Sequence, residues 1–275
     1  MLLPRILTAI LGIPIVLLCI YYGGALFLLF LFVVLLYMLG EFIRMVNTVG
    51  YEVSPIVVFL VGLITFFSII FEPLQFNKIS FQLTSINFTA LLFLIFFIEI
   101  IKQKPVGSVG RISVEFTIPM LLSWSLSHLF LIRDIKNYGM KLTYVLFFTI
   151  WITDNAAYIF GTVFGKKKIA FLISPKKTVV GFIFGYIFGF LGFLFISRVF
   201  LIDKIFNYKN LVIFAAVLPV VSMISDLAES LIKRDCGFKD SDNLLIGHGG
   251  MLDRFDSFIF SSPVFYYFLR VMLNK

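Results

Sequence analysis

Residues 225–257, SDLAESLIKRDCGFKDSDNLLIGHGGMLDRFDS, form a polar stretch in a chain that is otherwise mostly Phe, Leu, Ile and Val. The stretch holds seven of the fifteen acidic residues of the chain. Carboxylates are costly near a membrane, so their concentration in one segment indicates that they hold a cation. Asp226, Glu229, Ser230 and Lys233 follow the spacing i, i+3, i+4 and i+7, so a helix presents them on one face.

A glycine-rich turn at 247–250 precedes two further carboxylates, Asp253 and Asp256, which are again three residues apart. Such a turn brings backbone N–H groups close to an anion. Cation ligands, basic side chains and a cradle of N–H groups together indicate a site for phosphoryl or nucleotidyl transfer.

The composition outside this stretch excludes an ordinary soluble domain. Of the 275 residues, 60% are hydrophobic and only 14% are charged, and the mean hydropathy is +1.05. A membrane span needs about 20 apolar residues. The candidate spans lie near 6–22, 24–40, 56–71, 86–101, 117–132, 142–163, 178–198, 211–232 and 258–273. We therefore predict an all-α, polytopic integral membrane protein with about nine transmembrane helices, the first two close enough to form a tight hairpin.

The predicted organisation is a single membrane domain over residues 1–275. Residues 1–140 are expected to be mainly scaffold, and residues 141–275 to carry the site. With a cytoplasmic N-terminus, fourteen of the 23 lysines and arginines fall on the inner side, in accord with the positive-inside rule. The polar stretch then faces the cytoplasm, and the expected location is the inner (plasma) membrane.

Over residues 230–256 the chain resembles the phosphatidate cytidylyltransferases (CDP-diacylglycerol synthases). The positions that match the signature of this family are Ser230, Lys233, Arg234, Lys239, Asp240, His248, Gly249, Gly250, Asp253, Arg254 and Asp256. Asp242 departs from it where a small residue is usual, and Ile246 departs where Pro is usual.

Two shorter motifs support the same resemblance. Asp154, Ala157 and Tyr158 match a D-x-x-A-Y pattern, and residues 174–178 match S-P-K-K-T, although Val180 stands where an acidic residue is usual. Taken alone, an aspartate inside an apolar run is either functional or the partner of a basic residue on a neighbouring helix. The five lysines of residues 165–178 could equally anchor the chain at anionic lipid.

The resemblance implies that the protein joins CTP to phosphatidate, giving CDP-diacylglycerol and pyrophosphate, with Mg²⁺ and room for a second cation. The charge pattern and the resemblance together predict catalytic roles for Asp226, Lys233, Arg234, Lys239, Asp240, His248, Asp253, Arg254 and Asp256. The predicted metal ligands are Asp226, Asp253 and Asp256, with Glu229 as an alternate. The predicted substrate-binding residues are Asp154, Tyr158, Ser174, Lys176, Lys177, Thr178, Glu229, Ser230, Gly249 and Gly250. The expected partners are CTP, phosphatidate and membrane lipid, with no nucleic acid.

Other features of the apolar region have structural interpretations. Gly181, Gly185 and Gly189 follow one another at four-residue spacing, which favours close helix packing or dimerisation, and a homodimer is expected. Glu99 and Glu115 are expected to be interfacial charges.

Three alternative functions are considered. An ion-coupled transporter could use Asp154 and Asp226 as ion sites, but it should show paired repeats, which the sequence lacks. Another CTP-using lipid enzyme, such as a polyprenol kinase, shares the setting but not the full signature. The third alternative is an inactive structural homologue.

Overall fold

The structure, a computed structural model, describes residues 3–72, 83–242 and 249–273. Nine long helices run through these ranges: α1 (Leu3–Tyr22), α2 (Gly24–Thr48), α3 (Pro55–Phe71), α4 (Leu83–Lys102), α5 (Ser108–Arg133), α6 (Gly139–Phe164), α7 (Val179–Val199), α8 (Tyr208–Asp235) and, after the short α9 (Leu252–Phe255), α10 (Phe258–Leu273). A 3₁₀ turn, Ile202–Lys204, precedes α8.

Each of the nine predicted spans overlaps one of the long helices. Within the described ranges, α2, α4, α5, α6, α7 and α8 are long and apolar enough to cross a membrane. The predicted helical, apolar membrane fold is therefore confirmed, whereas the number of crossings stays a prediction.

The first two helices form the predicted tight hairpin. Tyr22 ends α1 and Gly24 begins α2, so one residue joins them. Gly23 and Gly24 have φ values of 63° and 51°, which glycine adopts without the steric cost that a side chain would add.

The glycines of α7 pack against the neighbouring helices of the same chain. A Cβ atom at Gly181 would lie 2.6 Å from the carbonyl oxygen of Ala157 in α6, and one at Gly189 would lie 2.8 Å from Pro219 in α8. Of the two interpretations of this spacing, the structure supports intramolecular helix packing. The homodimer stays a prediction.

Helix α10 is held to its neighbours by a seam of serine hydroxyls. Ser125 of α5 donates to the carbonyl of Phe258 at 3.1 Å, and Ser262 of α10 donates to the carbonyl of Ser125 at 2.8 Å. The hydroxyl of Ser225 in α8 donates to the carbonyl of Asp256, just before α10 begins. The seam fixes the segment that carries Asp253 and Asp256 against the helices that carry the other charges.

The expectation that Glu99 and Glu115 are interfacial charges is wrong. Glu99 and Glu115 are buried, with 6% and 0% of their surface exposed, and Arg111 is also buried, with 8% exposed. Arg111 pairs with Glu99 at 2.8 Å, and the amide of Ser54 donates to Glu115 at 2.6 Å. Because these partners offset the cost of burying the charges, α5 begins inside this polar cluster rather than at its apolar run.

A β-hairpin that the sequence did not predict connects α6 to α7. Strands β1 (Lys168–Ala170) and β2 (Ser174–Thr178) pair antiparallel, with Lys168 opposite Thr178. The hydroxyl of Thr178 accepts from the amide of Gly181 at 3.1 Å and so caps α7. The hairpin thus places the S-P-K-K-T motif at the end of the helix bundle where α6 and α8 also end.

Candidate active site

The three motifs singled out in the sequence meet at one end of the bundle. A cavity of about 550 Å³, here called the hairpin pocket, lies between the end of α6, the β-hairpin and the last turns of α8. Seven of the predicted site residues line it: Asp154, Tyr158, Ser174, Lys176, Lys177, Thr178 and Asp226. Ala157, Phe182, Met223 and Leu227 add apolar surface. Its volume lies within the usual range for a small-molecule site.

An ion pair links the hairpin to α8 inside this pocket. Nζ of Lys177 lies 2.7 Å from Oδ2 of Asp226, and both side chains are 28% exposed. Across the pocket, the hydroxyl of Ser257 donates to Oδ2 of Asp154 at 3.1 Å. Residues from three separate parts of the chain are thereby held within one charged cavity.

The acidic side chains behind the pocket repel one another. Burial, together with the nearby carboxyl groups of Asp226, Glu229 and Asp154, raises the pKa of Asp256 well above its usual value. Glu229 is itself 1% exposed, and its Oε1 atom has no hydrogen-bond partner. Such a group of carboxyls is stabilised by any cation that enters it.

A second cluster, here called the loop clasp, consists of Glu41, Glu229, Lys233, Ser241, Gly250 and Asp253. The ammonium group of Lys233 lies between the two carboxylates, 2.7 Å from Oε2 of Glu229 and in direct contact with Oδ1 of Asp253. Glu229, Ser230 and Lys233 are all buried on one face of α8, which confirms the face predicted from their spacing. Lys233 therefore joins α8 to α9.

Asp253 is held on all sides by groups of its own chain. Its Oδ2 accepts from the amide of Gly250 at 2.8 Å, and from the amide and the hydroxyl of Ser241 at 2.9 Å each. Burial alone would raise the pKa of Asp253, but the ammonium of Lys233 and the two amides bring it below its usual value. The amide of Gly250 thus donates to the carboxylate of Asp253, and a phosphate cradle at residues 247–250 stays a prediction.

Gly249 and Gly250 have no room for a side chain. A Cβ atom at Gly249 would lie 2.4 Å from Asp253, and the φ value of 75° is one that other residues rarely adopt. At Gly250 a Cβ atom would lie 2.1 Å from the hydroxyl of Ser241 and 2.3 Å from Glu41. The closeness of the clasp thus requires glycine at both positions.

Sequence reasoning missed two site residues on α2, in the region expected to be scaffold. Glu41 is 3% exposed and accepts from the amides of Met251 and Leu252, at 2.6 and 2.9 Å, and from the hydroxyl of Ser241 at 2.7 Å. Arg44 pairs with Asp242 at 2.8 Å, so Asp242, one of the residues that depart from the family signature, has a basic partner. A carboxylate inside an apolar helix was the signal that could have found Glu41.

The remaining predicted residues lie around these clusters. Lys239, Asp240 and Arg254 are exposed on the surface of the same region, and Tyr158 is 70% exposed at the mouth of the hairpin pocket. Arg234 donates to the carbonyls of Ile173 in the hairpin and Phe238 after α8, at 3.0 and 2.9 Å. His248 and Ile246 lie outside the described residues.

The predicted metal ligands Asp226, Asp253 and Asp256 do not form one three-carboxylate cluster. In the described ranges no three acidic, histidine or cysteine side chains converge as metal ligands. The reason is that Lys233, Ser241 and Gly250 already engage Asp253. Asp226 and Asp256 do fit Mg²⁺, which typically takes one or two protein carboxylates and completes its coordination with phosphate oxygens and water.

Comparisons with known proteins identify the family of the chain. The chain matches the Cytidylyltransferase family over residues 3–272. It is 30% identical to the phosphatidate cytidylyltransferase of Staphylococcus saprophyticus over 262 residues, which cover 94% of this chain and 96% of that protein. It is 41% identical to the enzyme of that name from Staphylococcus haemolyticus and 39% identical to that from Bacillus subtilis. In these last two alignments the chain spans about half of each relative, 49% and 51% of its length.

Proposed function

The chain belongs to the Cytidylyltransferase family, and on this premise we propose that it is a phosphatidate cytidylyltransferase. In this reaction a phosphate oxygen of phosphatidate forms a bond to the α-phosphorus of CTP. The bond between that phosphorus and the bridging oxygen to the β-phosphorus breaks, and pyrophosphate leaves with the bonding electron pair. The products are CDP-diacylglycerol and pyrophosphate.

The chemistry needs positioning more than proton transfer. A phosphate monoester has its second pKa near 6, so at neutral pH the attacking group is already largely a dianion. The barrier is then the approach of one anion to another, and cationic groups around the reacting phosphates lower it.

The observation that carries the proposal is the convergence in the hairpin pocket. Lys176 and Lys177 come from the hairpin, Asp226 from α8 and Asp154 from α6, and all four line one cavity. We assign the lysines to the phosphate oxygens and the carboxylates of Asp226 and Asp256 to Mg²⁺. When bound, Mg²⁺ would neutralise phosphate charge and align the two substrates.

The loop clasp has a different role in this proposal. The carboxylate of Asp253 pairs with Lys233 and accepts from Gly250, and the carboxylate of Glu41 accepts from Leu252, so these charges hold the start of α9 in place. Asp256, four residues beyond Leu252, then keeps its position beside Asp226. Lys233 and Asp253 thus act on the reaction through the geometry of the carboxylates.

The lipid substrate is proposed to enter from the side of the bundle. Tyr158 lines the pocket and is 70% exposed on α6, so the pocket opens toward the outer surface of that helix. In a membrane this surface faces lipid, and the acyl chains need not cross water. We further propose nine membrane crossings, a plasma-membrane location and a pocket that faces the cytoplasm, where CTP is available.

The test is an assay of purified protein in detergent with phosphatidate, a polyprenol, Mg²⁺ and CTP labelled at either the α- or the γ-phosphate. A cytidylyltransferase transfers the α-label to lipid and releases the γ-label as pyrophosphate. Transfer of the γ-label to a polyprenol would instead identify a lipid kinase, and transfer of neither label would contradict both functions.

A matched pair of variants ties the activity to the pocket. Asp226→Asn should abolish turnover because it removes a charge that pairs with Lys177 and faces the proposed metal. Asp203→Asn removes an exposed carboxylate near the opposite end of α8 and should leave turnover unchanged. Equal activity in the two variants would remove the pocket from the mechanism.

A further inference from the structure

The tip of the β-hairpin exposes apolar side chains beside the hairpin pocket. Phe171 is 68% exposed and Leu172 is 87% exposed, and Ile169 on β1 is 39% exposed. Apolar groups that are exposed together on a protein surface indicate that another apolar phase covers them.

The charge of the hairpin segment itself has a single sign. Residues 165–178 contain five lysines and no acidic residue. Lys166, Lys167 and Lys168 precede the tip and Lys176 follows it, and all four are exposed. An apolar tip flanked by positively charged lysines is complementary to an anionic lipid surface, in which acyl chains lie beneath phosphate groups.

The fold holds the tip at the level where the long helices end. Nε of Arg234, in the last turn of α8, donates to the carbonyl of Ile173 at 3.0 Å. Ile173 adjoins Leu172, and the hairpin begins directly after α6 and ends directly before α7. The ends of membrane-spanning helices lie in the headgroup layer, so the tip lies beside that layer and not far out in the solvent.

We propose that the hairpin tip docks into the anionic headgroup layer of the membrane in which the helices sit. Phe171 and Leu172 enter the boundary between headgroups and acyl chains, while the lysines at the base contact lipid phosphates. The docking itself does not depend on the proposed function.

The proposed function gives this docking a consequence, which rests on that function. Strand β2 runs from the tip into the hairpin pocket and carries Lys176 and Lys177 among its lining residues. A docked tip therefore holds the mouth of the pocket at the level of the lipid phosphates. Phosphatidate would reach the lysines by moving within its own leaflet.

The test measures where the tip lies, by spin labelling of the full chain in vesicles of phosphatidylcholine and phosphatidylglycerol. Cys19 and Cys236 are buried and are replaced by alanine, and a single cysteine is introduced as Leu172→Cys. Glu52→Cys, on an exposed loop, serves as the water reference, and Phe195→Cys, exposed on α7, serves as the lipid reference. Accessibility to oxygen and to a water-soluble nickel chelate is measured at each label.

A docked tip gives high oxygen and low nickel accessibility at position 172, close to the values at position 195. High nickel accessibility, as at position 52, would overturn the proposal because the tip would then lie in water. Low accessibility to both reagents would overturn it as well, because the tip would then be covered by protein, such as a second copy of the chain. In vesicles of phosphatidylcholine alone, or after Lys166→Gln and Lys167→Gln, nickel accessibility at position 172 should rise, and an unchanged value would contradict the role of charge.

A kinetic measurement tests the consequence separately. The double variant Phe171→Ser, Leu172→Ser should raise the mole fraction of phosphatidate that gives half-maximal rate by about fivefold or more, since it removes two apolar groups that docking would bury in lipid. The KM for CTP should not change. An unchanged phosphatidate dependence would contradict the consequence. If the protein shows no cytidylyltransferase activity at all, the proposed function fails while the spin-label result still decides the docking.

Discussion

Glu41 and Met251 are separated by 210 positions in the chain, yet Oε1 of Glu41 accepts a hydrogen bond from the amide of Met251 at 2.6 Å. The other oxygen of the same carboxylate accepts from Leu252 and Ser241. One side chain of α2 thus holds both sides of the segment between Ser241 and Met251. An early helix of the chain thereby contacts Ser241, Met251 and Leu252, which lie within the region of the family signature.

Replacement of Glu41 tests this role. Glu41→Gln keeps the shape of the side chain but turns an NH₂ group toward N–H or O–H donors of Met251, Leu252 or Ser241. A buried donor that loses its acceptor in this way costs about 1–3 kcal/mol of stability. We expect kcat to fall by about tenfold or more in Glu41→Gln and further in Glu41→Ala. Glu52→Gln is the control, since Glu52 is exposed and forms only a surface ion pair with Lys104 at 3.2 Å. Wild-type kcat in Glu41→Gln would show that the bonds to the loop do not matter for catalysis.

Lys233 should not tolerate even a change that keeps its charge. Its side chain is 9% exposed between Glu229 and Asp253, and the larger planar guanidinium cannot occupy the same space. We expect Lys233→Arg to lower kcat by about tenfold or more, a change of about 1.4 kcal/mol in the barrier. Lys136→Arg, at an exposed position, should be silent. If both lysine variants turn over at the wild-type rate, Lys233 has no geometric role.

Arg234→Lys should act through the hairpin. The guanidinium reaches two carbonyls, those of Ile173 and Phe238, and a lysine ammonium on its flexible stem does not reproduce this fork. We expect a higher half-saturating level of phosphatidate, with a smaller change in the KM for CTP. The measurement is a two-substrate kinetic series on purified protein. Equal increases for both substrates would argue for a direct phosphate contact by Arg234.

Removal of divalent cations should abolish turnover. The carboxyl groups of Asp226, Glu229 and Asp154 lie close enough to Asp256 to raise its pKa, and a cation held by Asp226 and Asp256 would relieve that repulsion. We expect no activity in EDTA and recovery with Mg²⁺ or Mn²⁺. Asp256→Asn should raise the Mg²⁺ concentration that gives half-maximal rate. Steady turnover in EDTA would remove the metal from the proposal.

The orientation in the membrane can be tested at two exposed lysines. Lys168 lies in the hairpin, and Lys204 lies in the connection between α7 and α8, at the end of both helices that is far from the hairpin. Each is replaced by cysteine in turn. We expect an impermeant maleimide to label position 204 in intact cells, and position 168 only after permeabilisation. The reverse pattern would place the pocket on the side of the membrane where CTP is absent.

The close contact between α6 and the hairpin should be sensitive to one methyl group. A Cβ atom at Gly165 would lie 2.2 Å from both the carbonyl oxygen of Gly161 and the hydroxyl of Thr178. We expect Gly165→Ala to cost about 1–3 kcal/mol of stability and to lower Tm. Gly40→Ala is the control, since a Cβ atom there meets nothing within 4 Å, and its stability should be unchanged or slightly higher. Equal Tm values in the two variants would contradict the tight packing.

Most of the helix positions could be predicted because they follow from apolar runs of membrane length. The predicted first residue of a helix is wrong where the first turns of that helix carry polar side chains. The predicted span 117–132 begins at Ser108 in the structure, because Arg111 and Glu115 are buried by ion pairing that a hydropathy pattern cannot show. The hairpin was missed for a related reason, since its strands contain Lys and Pro and no regular alternation of apolar residues.

The candidate site divides in the same way. The spacing of Asp226, Glu229 and Lys233 predicted their common face, because that relation is local to one helix. The contact between Lys177 and Asp226 and the bonds from Glu41 to the loop depend on how distant helices pack. The same packing engages Asp253 with Lys233 and the amide of Gly250, contacts that the charge pattern and the resemblance could not show.

The serine seam of α10 also sets the order in which the protein can become active during its synthesis. Helices α5 and α8 are synthesised before α10. The hydroxyls of Ser125 and Ser225 therefore lack their acceptors, the carbonyls of Phe258 and Asp256, until the end of the chain is made. Until α10 is inserted, Asp256 is not held beside Asp226. We therefore expect nascent or truncated chains that lack this helix to be inactive, so that the appearance of activity would mark the completion of assembly.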